Sequence, residues 1–156
     1  MNKLEFIPKS KLQLSILSEL SNIPKAEKFI ETVIDWYELP EKLHNRIRVA
    51  VIEAVNNAIL HGNKQDPSKT VKLTAWQDKQ KLIITVEDEG EGVNFEHIAN
   101  PTTPENLRET NGRGLYLMAS LTDELLFVEN GAKIAMIFSL DEKISNKPHA
   151  EERFWC

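Results

Sequence analysis

Residues 46–63 read RIRVAVIEAVNNAILHGN, and the fold turns on how this stretch is read. At helical spacing Val49, Ile52, Val55 and Ile59 form an apolar stripe able to face a core. On another side Glu53, Asn57 and His61 recur at every fourth position, so their side chains stack one above the next. A carboxylate beneath a carboxamide on such a helix is an odd arrangement to keep for packing alone. Gly62 stands where a left-handed residue is wanted to close the helix, and His61 is expected to hydrogen-bond near that end.

The helix is expected over about 41–61. Upstream, residues 3–7 and LQLSILS (12–18) alternate as sheet-edge strands do. Asn22 and Pro24 mark the start of an earlier helix carrying Ala26, Phe29, Ile30, Val33 and Ile34, which runs to about Glu38 before Leu39-Pro40 breaks it. Downstream, TVKLTAWQ (70–77) and KLIITVED (81–88) read as a hairpin. Residues 93–99 have room for a helical turn, and NPTTPENLRETNG (100–112) reads as a mobile loop. Gly112 and Gly114 open a helix with Leu115, Leu117, Met118 and Leu121. Strands at 124–129 and 132–140 are joined at Asn130-Gly131, a strong hairpin signal. Hairpin-linked strands imply a mostly antiparallel sheet with helices on one face, an α/β (α+β) two-layer sandwich. Residues 1–140 would form this domain and 141–156 a polar tail.

The chain has 156 residues, 41% of them hydrophobic and 28% charged, which suits one globular domain. A net charge of −5 argues against a nucleic-acid surface. No apolar run reaches membrane-spanning length, and the start has no signal-peptide pattern. The single Cys156 excludes an internal disulfide and a cysteine-based zinc site. A cytoplasmic protein is expected. His44, His97 and His149 share no ligand-like spacing.

Three stretches carry chemistry. In DEGEG (88–92), Asp88 ends an apolar strand and can accept from an exocyclic amine such as adenine N6, while Gly90 and Gly92 let the chain approach a flat ring. Taken alone, this reads more readily as an acidic surface turn with ordinary turn glycines; the ligand spacing of an EF-hand is missing. Gly112-Arg113-Gly114 lies at a helix start, where free N–H groups and the dipole favour an anion such as phosphate. No P-loop sequence is present. Glu53 and Asn57 supply a carboxylate able to take a proton and an amide oxygen able to ligate Mg²⁺ beside phosphates.

In this order, E-x3-N on a helix, D-x-G-x-G after a strand and G-x-G beyond a polar loop, the chain resembles the GHKL ATPase superfamily over about residues 10–140. That superfamily includes gyrase, the ninety-kilodalton heat-shock chaperone, sensor histidine kinases and MutL proteins. RIRVAVIEAVNNAILHGN with DEGEG and GRGLYLM looks most like the bacterial anti-sigma factor serine/threonine kinases. The resemblance implies a histidine kinase-like ATPase fold and an ATP·Mg²⁺ site. In it Asn57 ligates the metal, Glu53 is the base, and Asp88 binds the adenine amine with Gly90 and Gly92 shaping that wall. Residues 98–113 would be a lid over the phosphates, with Gly112 and Gly114 as hinge and phosphate contact and Arg108, Arg113 and Leu115 completing the nucleotide site. Some relatives carry a basic residue immediately before the glycine pair; here Thr110-Asn111 stand there, and Arg108 and Arg113 are the nearest bases.

The function implied is a partner-switching kinase. It would bind a sigma factor in one state and phosphorylate a Ser or Thr of a small antagonist protein in another, with a homodimer expected from the resemblance. Alternatives are an ATP-binding regulatory module without transfer, a stand-alone histidine kinase-like ATPase domain, and a pure interaction domain. No His precedes His44, so autophosphorylation in cis is not expected.

Overall fold

The computed structural model of the chain describes residues 11–91, 110–128 and 131–141, with side chains at 110–113 outside that description. The strand at 3–7, the turn at 93–99, the loop and lid at 98–109, Asn130 and the tail beyond 141 therefore lie outside the described residues, as do Gly92 and Arg108. Chain order is β1 (Leu12–Leu17), α1 (Ile23–Trp36), α2 (Glu41–Asn57), β2 (Thr70–Asp78), β3 (Lys81–Glu87), α3 (Thr110–Leu121), β4 (Glu124–Val128) and β5 (Lys133–Ser139). A short 3₁₀ turn (Leu20–Asn22) leads into α1, and a π turn (Ala58–Gly62) prolongs α2.

The strands form one sheet in the order β1-β2-β3-β5-β4, antiparallel at every pairing. Register brings the core residues into rows across the sheet. Ile16 faces Val71, Leu73 faces Val86, Ile84 lies between Ala75 and Met136, and Leu82 pairs with Phe138. Because side chains alternate along a strand, all of these share one face. That face is buried together with Ile30 and Val33 of α1, Leu43, Ile47 and Val51 of α2, and Met118 of α3 in a single core. Each such side chain contributes roughly 1.5–3 kcal/mol by leaving water, so the pairing register and the helical layer stabilise each other. The opposite face carries Gln13, Ser15, Lys72 and Trp76, with the Lys11 ammonium 4.6 Å from the Trp76 ring centre. Among the described residues no helix is long and apolar enough to cross a membrane.

Local chemistry sets the element ends. Pro24 sits in the first turn of α1, where its missing N–H is no loss. At the other end Glu38 takes a left-handed φ of 51°; its N–H donates to the Asp35 carbonyl and that of Leu39 to the Ile34 carbonyl, the paired closure of a Schellman cap. Lys79 adopts φ 54° in the two-residue turn between β2 and β3, and Gly131 φ 89° just before β5. The Arg46 guanidinium donates to the Leu121 carbonyl at 3.0 Å and lies 3.5 Å from Asp123, fixing the end of α3 against α2.

Helix α2 departs from expectation in two respects. Its core-facing seam is Leu43, Ile47, Ala50, Val51, Ala54 and Val55, whereas Val49 and Ile52 are only half-buried. Two alanines in the seam, Ala50 and Ala54, let α2 sit close to its neighbours, and a stripe drawn through the large aliphatics alone is rotated away from it. The second departure is the helix end. The Asn63 N–H donates to the Ala58 carbonyl at 2.8 Å, five residues back, so the last turn is a π turn. Gly62 is not left-handed; the positive φ angles fall on Lys64 (52°) and Gln65 (58°). His61, within this π turn, is exposed and makes no hydrogen bond among the described residues.

Candidate functional site

Glu53 and Asn57 lie one turn apart on α2, both half-buried, and face the first turn of α3. Gly114 makes that approach tight. A Cβ placed on it would lie 3.0 Å from Asn57 Nδ2 and 3.3 Å from Glu53 Oε2. The glycine thus lets the α3 backbone approach the carboxylate and the carboxamide together. Helix α3 begins at Thr110, two residues before the expected opening at the glycine pair, so Gly112 and Arg113 fall in its first turn and Gly114 directly follows it. Leu115 is buried with its side chain in the core, and as the sixth residue of α3 it lies beyond the free N–H groups of the helix start.

Asp88 follows β3 and is held on several sides. Its N–H donates to the Ala132 carbonyl at 2.8 Å, and its Oδ1 accepts the Gly90 N–H at 2.8 Å, closing a tight turn within DEGEG. The carboxyl is half-buried, and burial pushes its pKa up; the Gly90 N–H pulls the other way but less strongly, while the Glu87 charge adds to the rise and Lys69 opposes it. Two glycines make room for this turn. A Cβ on Gly62 would collide with the Asp88 carboxyl, 2.2 Å from Oδ2, and one on Gly90 would lie 2.1 Å from the Gly62 carbonyl oxygen. The need for glycine at 62 is therefore steric, a close approach between the end of α2 and the DEGEG turn, and not a left-handed backbone.

These contacts place the α2 pair against α3 and bring the π turn that ends α2 against the Asp88 turn. The three sequence motifs that carry chemistry are thereby strung along one helix. Residues 16–138 match the family model for the histidine kinase-like ATPase domain. The chain belongs to that family. The histidine kinase-like ATPase domain accounts for nearly all of the described core, from Ile16 in β1 to Phe138 in β5.

Similar proteins include an anti-sigma F factor of Clostridium perfringens (strain ATCC 13124), 34% identical over 132 residues that cover 81% of this chain and 94% of the relative. An anti-sigma F factor of Anoxybacillus flavithermus is 37% identical over 82 residues, 51% of this chain and 56% of the relative. Among solved structures, the RsbU and RsbW domains of Rv1364c from Mycobacterium tuberculosis superpose with a TM-score of 0.59 at 14% identity, over 85% of this chain and 32% of that one. That likeness is one of fold.

The donor set suits a nucleotide with a divalent ion. Among the described residues no three His, Cys, Asp or Glu side chains are grouped to hold a metal by themselves. Asn57 instead offers a single hard amide oxygen, the kind of ligand Mg²⁺ takes alongside phosphate and water. The glycine-lined turn around a half-buried carboxylate suits a flat ring bearing an amine. One participant escapes the sequence reading. Asn63, directly after the π turn, is almost fully buried and contacts three different segments. The only signal for it in the sequence is an amide placed right after a helix-ending glycine, a place where loop asparagines are commonplace.

Proposed function

We propose that this chain is an ATP-dependent serine/threonine protein kinase of the anti-sigma factor type, acting by partner switching. The observation that carries the reading is the approach of Gly114 to both Glu53 and Asn57, which sets a carboxylate and an amide oxygen beside the N-terminal turn of α3. Family membership supports the use of ATP, and similarity to anti-sigma F factors over 94% of one relative's length supports the choice of partners.

In this reading the Asp88 carboxylate accepts from the adenine amine, and Gly62 and Gly90 keep the space beside it clear. Asn57 would hold Mg²⁺ through its amide oxygen. The free N–H groups of the first turn of α3, at residues 110–113, point toward negative charge as helix starts do. Bound Mg·ATP supplies the transferable phosphoryl group and neutralises its charge. The chain's own part is positioning and proton removal. Glu53 Oε2 takes the proton of an incoming Ser or Thr hydroxyl. Glu53 also lines an open groove of about 610 Å³ between α1 and α2, bordered by Ile30, Arg48, Val49 and Ile52, which gives an acceptor segment a route to that carboxylate. A sigma factor and an antagonist compete for overlapping surface, with nucleotide state biasing the outcome. A homodimer and a cytoplasmic location belong to the same reading.

The test is Glu53→Ala assayed for Mg·ATP binding and for phosphoryl transfer to a cognate antagonist. The variant is expected to bind Mg·ATP within about threefold of wild type while transfer falls by ~10² or more, the usual weight of a general base. Unchanged transfer would remove Glu53 from the base role. A wild-type protein that binds Mg·ATP yet phosphorylates no antagonist would mark a regulatory ATP-binding module instead.

A further inference from the structure

We infer that Asn63 is a positioning residue for the nucleotide site, a clamp that fixes where the Asp88 carboxylate stands. This rests on the reading of Asp88 as the adenine contact. The side-chain amide of Asn63 is 1% exposed and fully engaged. Its Nδ2 donates to Ser18 Oγ at 2.6 Å and to the Thr70 carbonyl at 2.8 Å, and its Oδ1 accepts the Glu89 N–H at 2.8 Å. The partners dictate the orientation of the amide. The Thr70 carbonyl can only accept and the Glu89 N–H can only donate, so a flipped amide would lose both bonds at once.

The clamp joins four segments. Ser18 closes β1 and is itself fully buried, Thr70 opens β2, Glu89 belongs to the DEGEG turn, and Asn63 is delivered by the π turn at the end of α2. Directly after that turn Asn63 is buried, while His61 within it is exposed. Glu89 is then held twice. Its N–H is bound to Asn63, and its own Oε2 accepts from the Thr70 N–H and, at 3.1 Å, from Thr70 Oγ1. The residue held in this way directly follows Asp88, whose remaining anchors are the Ala132 carbonyl and the Gly90 N–H. Without Asn63 the turn keeps its bonds to Ala132 and, through Glu89, to Thr70, but loses its only side-chain hydrogen bond to the segment that ends α2, among the described residues. The clamp therefore sets the position of the adenine acceptor relative to the phosphate end of the site, and a buried amide with every donor used is rigid enough to do so.

The experiment compares ATP with purine riboside triphosphate, which lacks the 6-amino group, by isothermal titration in the presence of Mg²⁺. Wild type is expected to favour ATP by about tenfold or more, the weight of a hydrogen bond to a charged acceptor. Asn63→Asp keeps the size and the acceptor for Glu89 but turns an oxygen onto the Thr70 carbonyl. Asn63→Ser is the gentler variant, leaving room for water at Thr70. In whichever of them circular dichroism shows to be folded, the preference for ATP is expected to collapse toward one, while affinity for the analogue changes by less than about threefold. A purely structural asparagine would weaken both nucleotides alike and leave their ratio intact. A wild-type ratio near one refutes Asp88 as the amine contact, and this inference with it. A high wild-type ratio that persists in a folded Asn63 variant overturns the clamp alone.

Discussion

Replacing Gly62 by alanine probes the nucleotide site from outside it. Nothing in the backbone opposes the change, since Gly62 lies outside the left-handed range. The added methyl group would, however, lie 2.2 Å from Asp88 Oδ2, 2.4 Å from its Cγ and 2.8 Å from Oδ1. Ordinary contact begins at 3.4 Å, so the carboxyl has to withdraw by about 1.2 Å, the difference between 3.4 and 2.2. It can do so only by leaving its rotamer, at about 1 kcal/mol, and by giving up the Gly90 N–H, a further ~1 kcal/mol. Part of this is recovered because the displaced carboxylate is better hydrated. The expected loss of stability is therefore about 2 kcal/mol or less, a fall in Tm of at most roughly 4–8 °C for a domain of this size. The loss in binding is larger. A charged acceptor moved by more than 1 Å forfeits its bond to the adenine amine, about 1.5–3 kcal/mol, or roughly 10- to 100-fold in Kd. Isothermal titration of the folded Gly62→Ala protein with Mg·ATP measures this. Binding within twofold of wild type would refute the placement of adenine on Asp88.

Asp88→Asn separates the charge from the shape. The amide oxygen still accepts from Gly90 while a half-buried charge is removed, so the ligand-free protein is expected to melt at or above the wild-type temperature even though ATP affinity falls, as differential scanning calorimetry and titration would show. The pH response has a definite sign. Burial raises the Asp88 pKa in the folded state, so over the interval between the unfolded and folded values the folded protein holds more protons, and the contribution of Asp88 to stability improves as pH falls through the folded value. With Asp88 as the proposed amine acceptor, ATP binding calls for the ionised form and is expected to weaken over the same interval. Melting and binding curves for wild type minus Asp88→Asn, collected from about pH 7 downward, are expected to slope in opposite directions, and parallel slopes would contradict the assignment. Gly114→Ala adds a methyl 3.0 Å from Asn57 Nδ2 and 3.3 Å from Glu53 Oε2, gaps that close only if both side chains give by a few tenths of an ångström. Phosphoryl transfer is expected to drop more than ATP affinity, with little change in Tm because alanine's helix preference, about 1 kcal/mol, offsets the crowding.

What the sequence carried, it carried through period and punctuation. The alternation in TVKLTAWQ and KLIITVE, the hairpin signals and Pro24 sufficed for the antiparallel sheet and the helical layer, because each is a local signal that the tertiary structure does not override. The α2 seam differs from the sequence expectation where burial depends on alanines, whose small size says nothing about direction until a neighbouring helix is present. Gly62 matters for a reason other than the one its place in the sequence suggests. A glycine at a helix end is usually read as a left-handed cap, whereas here it serves a contact with Asp88, 26 positions further along, that only the fold creates. Asn63 stayed invisible on the same grounds, since its three partners come from β1, β2 and the DEGEG turn. Pairing of Glu53 with Asn57 was legible because both lie on one helix. Their meeting with Gly114 could be anticipated only through resemblance to a family.

Titration of the wild-type protein with Mg·ATP, with Mg·GTP as the comparison, tests the central claim most directly. A carboxylate acceptor at Asp88 predicts a single saturable ATP site with GTP at least about tenfold weaker, because a 6-oxo group offers that carboxylate no hydrogen to accept. Equal binding of the two nucleotides, or no heat of ATP binding up to millimolar concentration, would contradict it.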